Sequence, residues 1–350
     1  MSKFVVLGDL HLGARNASPI LCEYQLKYFE TELFPYMLLH KITTILQLGD
    51  LFDSRKFSNH VILHQWKERF FNFLEEHGIE FITLLGNHDV AHKNTLKVNS
   101  TSLFLNSYKN IVIIDKPSDL NVCGVPFLLI PWICADNTES VKTMIENTDA
   151  IFCAGHFAFA GFEMQKGISA HGETDTKDFD KFDLVFSGHF HTRSKKKNIL
   201  YTGVPYEMTW ADYDDQKGFH VFDTKTHKTT FVKTNMMLFH RIEYDDSDGL
   251  KRMFVNSLKD TYVKVVVVNK TNPLHFEKFI TNIILENPAD LKITDIQIEF
   301  DDIDVDDILK LDDTKTMITN FISQIETDLD KSELEDIMYT LYINALEITI

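Results

Sequence analysis

Residues 182–191 read FDLVFSGHFH, an apolar run that ends in two histidines two positions apart. An ideal strand would place those imidazoles on opposite faces of its sheet. If the chain leaves strand geometry at Gly188, His189 and His191 can instead address two parts of one centre. The format recurs upstream. KFVVLGDLH (3–11), TTILQLGD (43–50), ITLLGNHD (82–89) and AIFCAGH (150–156) are also apolar runs that stop at a glycine followed by a polar side chain. Any one has a bland reading, since Asp or Asn after a strand often caps the next turn or helix. Independent caps have no reason to repeat the format five times, so the five ends are read as one site at the carboxyl ends of strands.

The side chains brought forward are the carboxylates of Asp9 and Asp50, the amide of Asn87 and the imidazoles of His11, His156, His189 and His191. Imidazole mixed with carboxylate suits Mn²⁺, Fe²⁺ or Zn²⁺ better than Mg²⁺, whose usual shell is oxygen. None of the four cysteines has the spacing of a thiolate zinc centre. The donors exceed the needs of one ion and nearly match two. Two ions about 3.5–4 Å apart can clamp one phosphate ester and stabilise both oxygens of an in-line displacement. Asp50 is the best candidate to reach both.

Around these motifs the chain alternates helix and strand. A helical pattern over 21–40 is interrupted by Pro35, and ILHQWKERFFNFLEEHG (62–78) is an amphipathic helix closed by glycine. From about 110 to 232 the pattern is richer in strand and ends in a hairpin through DTKTHK. YVKVVVVN, PLHFEKFITNIILEN and LKITDIQIEF then make a compact β-α-β unit. The expected organisation is a layered α/β domain over 1–235, a smaller unit over 240–300, an acidic linker over 301–315 and a helical tail over 316–350.

Of the 350 residues, 44% are apolar and 25% charged, as in an ordinary soluble protein. The amino terminus turns polar at Gly8-Asp9, so neither a secretory signal nor a membrane span is expected. Cys22, Cys123, Cys134 and Cys153 are widely spaced and read as reduced thiols of a cytoplasmic protein, in a host cell if the chain is phage-encoded. The net charge of −17 argues at first against a nucleic-acid ligand. Residues 286–350, however, hold 18 Asp and Glu against four Lys, which leaves the first 285 residues at −3. Charge therefore does not exclude a DNA surface.

The motifs GDLHLG (8–13), GDLFD (49–53), GNHD (86–89), GH (155–156) and GHFH (188–191) resemble, in order and type, those of the calcineurin-like metallophosphoesterase superfamily. Spacing, the extra unit and the tail resemble more narrowly its Mre11/SbcD-like nuclease subunits, including those of T4-like bacteriophages. The resemblance implies a β-sandwich flanked by helices, a β-α-β capping domain that helps hold DNA, and a helical tail. It implies two divalent ions, Mn²⁺ with Mg²⁺ as the alternative. One would take Asp9, His11, Asp50 and His191, and the other Asp50, Asn87, His156 and His189. His88 would orient or protonate the scissile phosphate, with Asp89 steadying it. Asp53 stands where many cellular relatives have histidine. It is expected either to hydrogen-bond within the site or to cap its loop. His171 is a lesser candidate.

The same resemblance implies 3′-to-5′ exonuclease action on duplex DNA and single-strand endonuclease action, in break processing, recombination and replication. Arg15, Arg55, Lys56, Lys93, Lys97, Arg193, Lys195, Lys196 and Lys197 each follow a metal motif and could meet backbone phosphates, or be solvated loop charges. In the tail, Leu334, Ile337, Met338, Leu341 and Tyr342 fall at helical spacing. That is where such subunits attach to the coiled coil of a Rad50/SbcC-like ATPase, the alternative being packing on their own chain. The chain itself has no GxxxxGK[ST] sequence, so ATP belongs to the partner. A homodimer is implied through helices near 62–77 and 96–108. The competing reading is a small-molecule or nucleotide phosphodiesterase whose C-terminal region is purely structural.

Overall fold

A computed structural model describes residues 3–165, 168–169, 174–247 and 257–295, with positions 322, 330, 331, 334, 337 and 338. The chain divides into two compact units, Met1–Met236 and Met237–Ile350.

The first unit is a sandwich of two six-stranded sheets. One runs in the order 228–233, 218–223, 3–7, 44–47, 80–84 and 111–114. Its four strands from 3–7 to 111–114 are parallel, and the hairpin 218–223/228–233 adds two antiparallel strands beside 3–7. The other runs 194–196, 199–201, 184–188, 152–156, 125–130 and 118–122, parallel in its middle and antiparallel at both edges. Alternation along each strand sorts the residues. Phe4, Val6, Leu46, Ile82, Phe127, Phe152, Ala154, Phe186 and Phe222 meet between the sheets. The intervening Leu128, Cys153 and Val185 pack outward with Val141 and Ile145 of the helix Thr138–Asn147.

Helices with aromatic faces pack beside the first sheet. Pro35 does not interrupt the helical run. Helix continues from Pro19 to His40 through a π turn at Phe29–Leu33, which shifts the hydrogen-bond register just ahead of the residue that has no amide to donate. The second run, His60–Glu76, has a π turn at Lys67–Phe71. Its Trp66, Phe70, Phe71 and Leu74 are fully buried against Phe29 and Phe81, so that face is core and offers nothing to a second copy of the chain. The helix expected near 96–108 is shorter. Thr95–Asn99 is a strand paired with Val90–His92, and only Ser100–Leu105 is helical, capped by the Asn99 side chain at 2.7 Å from the Ser102 amide.

In the second unit the β-α-β arrangement is Tyr262–Asn269, Pro273–Leu285 and Asp290–Asp295, with Phe239–Asp245 as a third parallel strand on the far side of Tyr262–Asn269. Tyr244, Val263, Val265, Val267 and Ile283 form its core. The linker 301–315 lies outside the described residues. No disulfide joins the four cysteines, and among the described residues no helix is long and apolar enough to cross a membrane.

Candidate metal centre

The strand ends of the two sheets converge. Strand 3–7 leads to Asp9 and His11, strand 44–47 to Asp50, strand 80–84 to Asn87 and His88, strand 152–156 ends on His156, and strand 184–188 leads to His189 and His191. The recurrent glycines permit the crowding. A Cβ on Gly86 would collide with Asp50 Oδ1, and one on Gly188 would stand 2.7 Å from Asp9 Oδ1 and 3.1 Å from His156 Nδ1. Three candidate donors have left-handed backbone, His11 (φ 49°), Asp50 (φ 51°) and His189 (φ 87°). Non-glycine residues rarely adopt it, and it concentrates at functional sites. It turns each side chain out of the pleat, so the two imidazoles of GHFH join different donor groups.

Among the described residues three groups of side chains are spaced to hold an ion: Asp9, His11 and His191; Asp50, His156 and His189; and His11, Asp53 and His88. In the first, His11 Nε2 lies 3.2 Å from His191 Nε2, 3.9 Å from Asp9 Oδ2 and 4.0 Å from Asp50 Oδ2. In the second, His156 Nε2 lies 3.2 Å from Asp50 Oδ2 and 3.0 Å from Asn87 Oδ1. Metal–ligand bonds of about 2.1 Å require donor–donor edges of about 3.0–3.4 Å. The closest pairs have that spacing, the donors are nitrogen and oxygen, and Asp50 of the second group stands near the first. The residues fit two divalent ions.

Hydrogen bonds fix the frame. Asp50 Oδ1 accepts from the His88 amide at 2.7 Å, and the Asp9 carboxylate accepts from the His189 amide at 3.0 Å. Buried Gln47 ties the first two motifs together through the carbonyls of Gly8 and Gly49. Asp89 does not reach the His88 ring as expected. Its carboxylate accepts from the amides of Leu51, Phe52 and Gly86 and so staples the second and third motifs. The His88 ring is held by the backbone of Asp53, Nδ1 standing 2.6 Å from its carbonyl oxygen. The Asp53 side chain lies 3.3 Å from His11 Nδ1, within the site. Trp132, at the end of the strand 125–130, was missed by sequence reasoning. Its ring lies 5.3 Å from that of His189 and 5.9 Å from that of His156. The signal was there in FLLIPW, the strand end neighbouring AIFCAGH.

Electrostatics divides the donors. Burial pushes the Asp9 carboxyl up to about 6, against the pull of His156. Burial opposes charge on Asp50 too, but His156, His88 and His11 hold it well below the usual carboxylate range. Burial likewise works against charged His11 and His156, yet Asp53 and Asp50 lift the first to about 9, and Asp50 and Asp9 lift the second to about 9. His191 falls to about 3 through burial and the charge of His11, and His189 falls well below its ordinary value through burial and His156. Burial lowers His88 as well. Two imidazolium groups therefore balance the carboxylates, and a divalent ion would replace those protons.

Residues 2–193 match the calcineurin-like phosphoesterase family. This chain belongs to that family. It is a metal-dependent phosphoesterase, with the expected superfamily motifs and α/β fold. It is 32% identical over 349 residues, 99% of this chain and 100% of the other, to exonuclease subunit 1 of Enterobacteria phage T4. Among solved structures, an archaeal phosphodiesterase aligns with 66% of this chain and 99% of its own at 10% identity and a TM-score of 0.33. The nuclease MPE of Pseudomonas putida aligns with 62% and 83% at 16% identity and a TM-score of 0.30. Scores this low carry no argument about the chemistry.

Of the basic residues expected around this phosphoesterase site, Arg55 donates from Nε to the Asn87 carbonyl at 2.7 Å. Arg15 is exposed in the short helical turn Ala14–Ala17, and Lys56 and Lys93 are exposed on loops after the motifs. Lys97 is 3.9 Å from Asp136, and Lys197 is 3.7 Å from Asp180. Arg193 lies 4.5 Å from the Phe231 ring. Lys195 and Lys196 are exposed on the edge strand Ser194–Lys196, where lysine also discourages strand addition. In the tail, Leu334, Ile337 and Met338 are helical, with Ile337 51% exposed. Leu341, Tyr342 and His171 lie outside the described residues.

Proposed function

We propose that this phosphoesterase is a DNA nuclease with two divalent ions, Mn²⁺ by donor chemistry and Mg²⁺ as the alternative, acting with a Rad50/SbcC-like ATPase. The observation that carries this reading is the 32% identity to exonuclease subunit 1 of phage T4, which spans both chains almost completely rather than the catalytic unit alone. The finer assignments, 3′-to-5′ exonuclease and single-strand endonuclease action, break processing and recombination, a homodimer, and a capping role for the second unit, follow from that likeness.

In this reading Asp9, His11, Asp50 and His191 hold one ion, and Asp50, Asn87, His156 and His189 the other. Such ions supply Lewis acidity and water activation for in-line displacement at phosphorus. The chain's own contribution is placement. With Nδ1 engaged by the Asp53 carbonyl, His88 would address a phosphate oxygen through Nε2. Burial keeps that ring neutral beforehand, and the arriving phosphate charge favours its protonation, so it can donate to the leaving oxygen. Asp53 orients His11, in the carboxylate–histidine–metal arrangement that fixes a ligand's tautomer. Arg55 lies close enough to the Asn87 loop to support phosphate binding.

The test compares purified chain on end-labelled duplex DNA and on bis-p-nitrophenyl phosphate with Mn²⁺, with and without its copurified ATPase. Polarity-resolved DNA cleavage that the ATPase stimulates is expected. Hydrolysis of the small ester with inert DNA, unaffected by any partner, would transfer the protein to the small-phosphodiesterase class. His88→Ser is expected to retain bound Mn²⁺ and DNA while losing hydrolysis, and full activity in that variant would remove His88 from its role.

A further inference from the structure

Behind His191, outside the donor set, lies a buried ion-pair cluster. Lys217 and Asp212 are each only 3% exposed. The Lys217 ammonium lies 2.8 Å from Asp212 Oδ1 and donates to Asp215 Oδ2 at 2.9 Å and to the backbone oxygen of His191 at 3.0 Å. An ammonium has three protons to give, and these three acceptors take them. Asp212 Oδ2 accepts in turn from the amides of Met208 (3.0 Å) and Thr209 (2.9 Å). The His191 carbonyl also accepts from the Val204 amide at 3.1 Å. It is gripped from two sides while its ring nitrogen stands 3.2 Å from His11 Nε2.

Two arguments say what the cluster is for. Taking a lysine and its carboxylates out of water is costly, and apolar packing of the same volume often serves stability as well or better, so stability alone does not explain it. His191 also lies three residues past the end of strand 184–188, where no ladder bond fixes its backbone. A ligand loop off the sheet needs an anchor, and a fully satisfied ammonium is a stiff one.

We propose that Lys217, held by Asp212 and Asp215, is a positioning residue that fixes the His191 loop and thereby sets the affinity of the metal position formed by Asp9, His11 and His191, leaving the position at Asp50, His156 and His189 nearly unchanged. Lys217 touches a ligand's backbone and no reacting atom. The inference rests on the metal-centre reading above.

The test is Mn²⁺ titration of the full chain by calorimetry and electron paramagnetic resonance, with thermal unfolding in chelator as the check on folding. Wild type is expected to show two positions. Lys217→Met should weaken one about 10- to 100-fold, the range seen when groups that orient a ligand are lost, and spare the other. Lys217→Arg, which keeps the cation and its donors, should recover most of the loss. If Lys217→Met does not fold, Asp215→Asn decides, through a smaller weakening at the same position. A folded Lys217→Met or Asp215→Asn protein with both affinities at the wild-type value overturns the inference alone, as does equal weakening of both. A wild-type chain that binds no Mn²⁺ overturns the metal-centre reading and this inference with it.

Discussion

His156 and His191 are both proposed ligands, yet the chain holds them by different means. His156 is the last residue of a central strand, paired across the ladder with Gly188, fully buried, and tied through Nδ1 to the Leu48 carbonyl at 2.8 Å. Its position comes with the sheet. His191 stands beyond its strand, half-buried, its carbonyl held by the Val204 amide and by the Lys217 side chain reaching in from elsewhere. The same contrast holds for the two donor groups. Asp50, His156 and His189 are framed by Asn87, Leu48 and the Trp132 ring, whereas Asp9, His11 and His191 need Asp53 and Lys217. One half of the centre is inherited from the fold and the other half is propped.

The largest effect should come where the halves meet. Asp50→Ala is expected to remove both Mn²⁺ positions and lower hydrolysis by more than about a hundredfold, beyond what loss of an outer partner costs; one surviving position in a metal titration would deny Asp50 its bridging place. His156→Ala and His191→Ala separate the halves. Each should lose one metal position, but the ion-free His156 variant should be less stable by about 1–3 kcal/mol, because it strands the buried Leu48 carbonyl, and the His191 variant by under about 1 kcal/mol. Chemical denaturation in chelator measures this, and equal losses would erase the distinction between inherited and propped ligands.

Protons sharpen the comparison further. With His11 and His156 both lifted to about 9, each half carries one imidazolium at neutral pH that an ion must displace. Mn²⁺ affinity should therefore rise with pH up to about 9 and flatten above it, by up to about tenfold per pH unit for each proton released. Calorimetry in buffers of different ionisation enthalpy counts those protons, and a pH-independent affinity would contradict the charged assignments. Trp132→Ala should leave metal binding intact and raise KM for DNA about fivefold to tenfold if a base stacks on that ring, and leave KM unchanged if the ring only packs against His189 and His156. The smallest effect is expected from Lys195→Ala, a reduction of the salt slope of DNA binding by about one if that lysine meets a phosphate, and none if it only guards the sheet edge.

Much of the fold was legible because the apolar runs stop abruptly. Strands 3–7, 44–47, 80–84, 152–156 and 184–188 all end where glycine and a polar donor replace the apolar pattern, and the hairpin 218–233 turns inside DTKTHK. The helix near 96–108 is implied by the resemblance and not by local pattern: Leu96 and Val98 of TLKVN alternate as in a strand, and 95–99 pairs with 90–92. Asp89 sits beside His88 in the sequence, but a carboxylate that accepts from the amides of Leu51 and Phe52, one motif earlier, is a tertiary fact with no local trace. Lys217 and Asp212 were invisible for the same reason. In DYDDQK they look like a solvated charge run, and only the fold closing over them turns charge into an anchor.

The left-handed backbone at His11, Asp50 and His189 constrains how this centre can be altered. A substitution there is judged first as a rotamer and torsion problem and only then as coordination chemistry. Asn tolerates such torsions, whereas Val and Ile do not. A scan that swaps these donors should therefore include Asn and Gly as conformational controls, because a dead β-branched variant at position 50 reports on the peptide chain before it reports on the metal.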